Sequence, residues 1–240
     1  MGREEQVVTI ANEAGDFLLE LFESGTRSQE ADIAGQKLIV PQLQTLELAI
    51  PVLAEEDIED LNILLATDDV VDLPSTYWSV DPLDGSAVFD NKCSEWAISI
   101  ALIEDHRPVL VIVCFPRFDM TVVAVRGEGV RINDRQVKLE TNRLPEQWLV
   151  GIDLCKTTDE DYLQNTVLPL TKKFRFVRNF PTVASNLELL LGHIGLWTSD
   201  RVRNWDIAAM ALAVEEAGGI IHQLDGKPIN WQQVRMPPLV

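Results

Sequence analysis

The sequence predicts a layered α+β chain, with a helical and antiparallel-sheet half followed by an α/β half. Three observations predict it. The first fifty residues carry apolar positions at helical spacing, residues 78–139 break into short β-rich runs separated by turn residues, and residues after Pro145 alternate strand-like and helix-like segments.

In chain order, Val7, Ile10, Ala11, Ala14, Phe17, Leu18, Leu21 and Phe22 line one face of a helix whose other positions are acidic, and Gly25 stops it. A second helical pattern runs from Ala31 to Leu48, where Pro41 is expected to kink or split it. The apolar run Ile50–Ala54 reads as a strand ending at Glu55. Trp78 opens another strand, which Pro82 is expected to end at Asp81. Ala97–Glu104, Val109–Phe115, Thr121–Arg126 and Val137–Leu139 then form an antiparallel meander. Beyond Pro145 come a strand Trp148–Ile152, a helix Asp159–Lys173, a strand Phe174–Val177, a helix Val183–Leu191, a strand Ile194–Thr198, a helix Trp205–Ala217 and a strand Ile220–Gln223. The division falls between residues 1–145 and residues 146–240, with a site completed by both parts.

The 240 residues are 46% hydrophobic and 24% charged, which suits a globular core and disfavours disorder or coiled coil. A formal charge of −18 excludes non-specific affinity for nucleic acid or an anionic membrane. An acidic chain that handles phosphate needs a cation as mediator. Cys93, Cys114 and Cys155 lie far apart, with no C-x-x-C, and read as core thiols of a reducing compartment. No run reaches the ~18 apolar residues of a membrane span, and the charged N-terminus does not resemble a signal peptide. A cytoplasmic location is expected.

The stretch Trp78-Ser-Val-Asp81-Pro82-Leu83-Asp84-Gly85-Ser86 carries the most chemistry. Two carboxylates bracket Leu83, whose carbonyl a turn can point the same way, so three oxygens converge on a hard cation. Gly85 and Ser86 follow with backbone N–H groups and a hydroxyl suited to an anion. A plain polar turn has the same dipeptides, and an EF-hand is excluded by the spacing. Glu55-Glu56-Asp57 ends an apolar strand, whereas Glu59, Asp60, Asp68 and Asp69 read as a solvated face. In Asn204-Trp205-Asp206, Asp206 opens an apolar helix that closes at Gly218-Gly219, and serves either as a cap or as one more metal oxygen. Trp96 and Trp205 read as core.

In this order, Glu-Glu after a strand, Asp-Pro-Leu-Asp-Gly-Ser and Trp-Asp-x-Ala-Ala with Glu-Ala-Gly-Gly resemble the signatures of the inositol monophosphatase superfamily, and most nearly its bacterial 3'(2'),5'-bisphosphate nucleotidases. The resemblance implies a layered αβαβα sugar-phosphatase fold. It further implies Mg²⁺-dependent hydrolysis of a small phosphomonoester by direct water attack. Two or three Mg²⁺ are implied on Glu55, Asp81, the Leu83 carbonyl, Asp84 and Asp206, with the phosphate on Gly85 and Ser86. Glu55, Asp32 and Ser86 are the implied catalytic residues, Asp32 orienting the attacking water. Ala184 and Ser185 correspond to a substrate loop, and Arg201 and Arg203 are candidates for a second phosphate. A homodimer is implied, with no polymeric nucleic acid and no membrane as partner.

The chain departs from the nucleotidases after Ser86, where Ala87-Val88-Phe89 replaces Lys-Glu-Phe, and near Gln29, where the family has threonine. An inositol or sugar phosphatase is the second reading. A metal- or phosphate-binding protein that has lost catalysis is the third.

Overall fold

The computed structural model describes residues 2–47, 49–56, 63–64, 72–140 and 142–240. Helix α1 (Arg3–Ser24) buries Val7, Ile10, Ala11, Ala14, Leu18 and Phe22, and ends where Gly25 takes a left-handed φ of +84°. Helix α2 (Ser28–Leu46) is continuous through Pro41, contrary to the expected break. Pro41 and Lys37 are both exposed, so the helix carbonyl that loses its donor can be hydrated, and the Gln42 side chain bonds the neighbouring Leu38 carbonyl at 3.3 Å.

An eight-stranded sheet follows, built from β1 (Val52–Ala54), β2 (Ile63–Leu64), β3 (Tyr77–Asp84), β4 (Ala97–Glu104), β5 (Arg107–Phe115), β6 (Met120–Val125), β7 (Gly129–Ile132) and β8 (Arg135–Val137). Its order is β2-β1-β3-β4-β5-β6-β7-β8. Strand β1 runs parallel to β2 and β3, and β3 to β8 form the expected antiparallel meander. The short helix α3 (Ser86–Asp90) links β3 to β4. The last hairpin was displaced in the sequence reading, which placed a strand at Val137–Leu139 and missed β7.

Pro82 does not end β3 at Asp81. The strand runs on to Asp84, and its register against β4 shifts, with Asp81 opposite Ser99 and Asp84 opposite Ala97. Three steps on β3 therefore match two on β4, a bulge that absorbs the proline. Trp78, Val80 and Leu83 all join the core under α1 and α2, while Tyr77 joins the core on the other face. The bulge thus turns Asp81 and Asp84 to the same side of the sheet.

The second part contains β9 (Leu149–Asp153), α4 (Glu160–Tyr162), α5 (Leu168–Lys173), β10 (Phe176–Arg178), α6 (Thr182–Leu190), β11 (Ile194–Ser199), β12 (Val202–Arg203), α7 (Asn204–Glu216) and β13 (Arg235–Met236). Strands β10, β9 and β11 form a parallel sheet. The helix expected at Asp159–Lys173 spans α4 and α5 with a π-helical turn, Leu163–Val167, between them. The expected strand Ile220–Gln223 is not formed: Ile220 is exposed, and Gln223 makes one isolated bridge to Leu239. Strands β12 and β13 were not anticipated.

Apolar faces stack these elements as α1/α2, the large sheet, α6/α7, the parallel sheet and the α4–α5 segment, an αβαβα arrangement. Trp96 and Trp205 are core residues as expected. Of the three thiols expected in the core, only Cys114 is buried; Cys93 and Cys155 lie at the surface, and all three are free. Among the described residues no helix is long and apolar enough to cross a membrane.

Candidate active site

Carboxylates from four elements and their ends meet at the C-terminal ends of the adjacent parallel strands β1 and β3. Asp81, Asp84 and Asp206 bring oxygen atoms within 4.8 Å of one another, and Asp32, Glu55 and Glu56 do the same beside them. Glu55 joins the groups, since its charge acts on Asp81, Asp84 and Asp206 as well as on Asp32.

Each is placed by local structure. Asp81 Oδ1 accepts the Leu83 N–H at 2.9 Å, an Asx turn across the bulge that orients the Leu83 peptide. Asp84 Oδ2 accepts the Val183 N–H at 3.2 Å, which ties β3 to the first turn of α6. Asp206 Oδ2 accepts the Arg203 N–H at 2.6 Å and so caps α7, leaving its other oxygen for a ligand. The cap and the metal-oxygen readings of Asp206 are therefore compatible. Asp32 projects from the buried face of α2, one turn before Gln36. The Gln36 amide is fully buried and grips the Glu56 backbone at both ends, Oε1 accepting its N–H at 2.9 Å and Nε2 donating to its carbonyl at 2.6 Å. Asp57, Glu59, Asp60, Asp68 and Asp69 lie outside the described residues.

The electrostatics are those of a site short of positive charge. Burial first, then the fields of Glu55 and Glu56, push Asp32 up to about 8. Asp206 is pushed up to about 7, again mainly by burial. Burial and the surrounding carboxylates raise Asp81 and Asp84 well above the usual range, and burial raises Glu55. Asp32 Oδ1 is buried with no hydrogen-bond partner. Hard oxygen donors, mutual repulsion and an orphaned carboxylate oxygen fit a divalent cation better than any neutral partner.

At the other sequence-predicted positions, Ser86 Oγ donates to the Leu83 carbonyl at 3.3 Å. Gly85 adopts φ +94°, and a Cβ there would stand 3.0 Å from the Glu95 carbonyl oxygen, so the turn demands glycine. Ala184 and Ser185 are buried in α6, and the Ser185 hydroxyl is used internally on the Phe180 carbonyl at 3.2 Å. Neither lines the cleft. Arg201 and Arg203 do: with Glu55, Trp205, Asp206 and Arg235 they line a cleft of about 350 Å³. Arg201 is steadied by Cys155 Sγ at 2.6 Å and by Thr157.

Sequence reasoning missed three residues. Gln36 gave no signal. Arg235 lies near the C-terminus, in a strand too short to read. Asp153 ends β9 and accepts from Thr182 Oγ1 at 2.9 Å, and its field reaches Asp84 and Asp206. The signal for Asp153 was present, because it ends an apolar strand just as Asp84 ends β3.

The family model described as "Inositol monophosphatase family" matches residues 10–237. The 3'(2'),5'-bisphosphate nucleotidase CysQ of Salmonella typhimurium is 31% identical over 95% of this chain and 93% of its own length. The fructose-1,6-bisphosphatase/inositol-1-monophosphatase of Thermotoga maritima is 26% identical over 84% of this chain and 73% of its own. In fold, the extragenic suppressor protein suhB of Bartonella henselae superposes with a TM-score of 0.82 at 23% identity, covering 99% of this chain and 93% of that one.

Proposed function

The chain belongs to the inositol monophosphatase family of metal-dependent phosphoric monoester hydrolases, and from that premise we propose that it removes the 3'- or 2'-phosphate of a 3'(2'),5'-bisphosphate nucleotide. The observation that carries the reading is the juxtaposition of clustered carboxylates, Asp32, Asp81 and Asp84 among them buried, with a cleft that three arginines also line. The likeness to the Salmonella nucleotidase supports the same substrate class.

On this reading Glu55, Asp81, the Leu83 carbonyl, Asp84 and Asp206 hold two or three Mg²⁺. When bound, such ions shield the phosphate's charge and make a water acidic. Asp32, whose Oδ1 has no other partner, accepts a hydrogen bond from the attacking water and takes up its proton. Ser86 Oγ, 3.3 Å from the Leu83 carbonyl, orients that water from the other side. Gly85 and Ser86, at the start of α3, offer N–H groups that a first helical turn leaves without intrahelical acceptors, and these hold the scissile phosphate. Arg201 and Arg203 face the rest of the substrate. The water oxygen bonds to phosphorus as the phosphorus–ester oxygen bond breaks, the leaving oxygen takes its proton from solvent, and no covalent link to the chain forms.

Phosphate release from adenosine 3',5'-bisphosphate, inositol 1-phosphate and fructose 1,6-bisphosphate, each with and without Mg²⁺, tests the proposal. The nucleotide is expected to give the highest kcat/KM, and only with Mg²⁺. A preference for inositol 1-phosphate or fructose 1,6-bisphosphate would replace the substrate assignment, and Mg²⁺ binding without turnover of any of the three would overturn it.

A further inference from the structure

Resting on the reading that the substrate carries two phosphates, we propose that Arg235 is a specificity-determining residue, which with Arg203 across the β12–β13 ribbon grips the phosphate that is not hydrolysed. The ribbon is antiparallel, with Val202 opposite Met236 and Arg203 opposite Arg235. Val202 and Met236 are buried in the core beneath it. Alternation along a strand then sends both arginines to the other face, where both line the cleft shared with Glu55 and Asp206.

Two cations directly opposite each other on neighbouring strands repel. Arg203 leans on the fields of Glu55 and Asp206. Arg235 is exposed, and its side chain makes no ion pair or hydrogen bond with any described residue. A dianion between the two guanidinium groups turns this repulsion into attraction on both sides, and the planar fork of each matches phosphate oxygens in pairs. A hydroxyl in the same place gives Arg235 no charge to meet.

The pair is also built to hold its distance from the carboxylates. Asn204 is fully buried; its N–H bonds the Val234 carbonyl at 2.7 Å, and its Nδ2 donates to Tyr77 Oη at 2.8 Å and the Gln233 carbonyl at 3.2 Å. Its Oδ1 accepts from Ser79 Oγ at 2.8 Å, and Tyr77 Oη donates to the Trp231 carbonyl at 2.6 Å. Tyr77 and Ser79 belong to β3, the strand that carries Asp81 and Asp84. The residues leading into Arg235 are thus bolted to the strand that presents the carboxylates, and the spacing between them is set by buried hydrogen bonds. A fixed spacing is what reading two phosphates on one molecule requires.

The experiment compares the parent with Arg235→Gln and Arg235→Lys in two measurements. Calorimetric binding of adenosine 5'-monophosphate and of adenosine is expected to show the parent favouring the phosphate-bearing compound, and Arg235→Gln to shrink that preference by roughly 10–100-fold, the value of a charged hydrogen bond. Arg235→Lys is expected to fall between the two. In kinetics, the ratio of kcat/KM for adenosine 3',5'-bisphosphate to that for adenosine 3'-monophosphate is expected to fall by the same factor in Arg235→Gln. Equal affinity of the parent for adenosine and its 5'-monophosphate, or an undiminished preference in Arg235→Gln, would overturn the clamp. If the parent hydrolyses no nucleotide while Arg235→Gln still abolishes the binding preference, the substrate reading fails and the anion clamp stands.

Discussion

Gln36 and Glu56 are joined by two hydrogen bonds, between one side-chain amide and the backbone N–H and carbonyl of one residue, at 2.9 and 2.6 Å. This contact sets the end of β1 against α2, and because Asp32 lies one helical turn before Gln36, it also brings Asp32 within reach of Glu55. Gln36→Ala leaves a partly buried N–H and carbonyl without partners. A loss of about 1–3 kcal/mol in urea unfolding is expected, together with weaker Mg²⁺ binding by titration calorimetry. Unchanged Mg²⁺ affinity in a destabilised variant would limit Gln36 to stability.

Asp81→Asn, Asp84→Asn and Asp206→Asn each remove one anionic oxygen at nearly constant volume. An amide oxygen still accepts the Leu83, Val183 and Arg203 N–H bonds, so circular dichroism is expected to show native folds. Phosphate release is expected to fall by roughly 10²-fold or more. The melting temperature without metal is expected to rise, because a like charge has left a crowded site. Parent-level activity in any two of the three would refute the arrangement.

The carboxylates make the metal-free protein sensitive to alkali. Asp32 titrates near 8 in the folded chain against an ordinary 3.8, and Asp206 near 7. The native state therefore holds protons that the unfolded chain has released. The stability this contributes is complete below about pH 4 and is lost as pH rises through about 7–8. In EDTA, the melting temperature of the parent relative to Asp32→Asn is expected to decline across that window. Saturating Mg²⁺ is expected to flatten the decline, since the cation takes over from the protons. A flat difference in EDTA would show that Asp32 is already ionised in the folded chain.

Ser86 donates to the Leu83 carbonyl through its side chain at 3.3 Å, and only the proposed positioning of the water depends on that side chain. Ser86→Ala is expected to lower kcat by roughly ten- to a thousandfold with little change in KM, the loss of one positioned group. Ser86→Thr keeps the hydroxyl and is expected to retain most activity. An alanine variant as fast as the parent would leave the water to Asp32 and Glu55.

Much of the site was legible because its marks are local. Asp81, Leu83 and Asp84 sit within one turn, and Asp206 opens one helix, so nearest-neighbour chemistry identifies them. Gln36 and Arg235 act through pairings between segments far apart in the chain, which no local spacing encodes; Asp153 carries a local mark, the end of an apolar strand, but its place beside the site is set by distant pairings. The fold was read on the same terms: the meander and the long helices announce themselves by period, while β12 and β13, two residues each, have no period to read. Pro41 and Pro82 misled for a shared reason. A proline breaks an element only where the lost hydrogen bond cannot be replaced, and here the freed carbonyl lies on an exposed helix face open to solvent and a bulge absorbs the strand's irregularity.

The bulge in β3 makes segment length a different kind of constraint from residue identity. Between Asp81 and Asp84 the chain spends three steps where β4 spends two, and this mismatch alone sets both carboxylates on one side of the sheet. Heritable changes that swap one side chain for another in this stretch leave the geometry standing. With the bulge kept, an insertion or deletion of a single codon instead gives the matching stretch of β4 an odd number of steps and turns one carboxylate into the apolar layer under α1 and α2. Descendants of this gene are thus held to the number of residues between Asp81 and Asp84 as well as to the apolar character of buried Pro82 and Leu83.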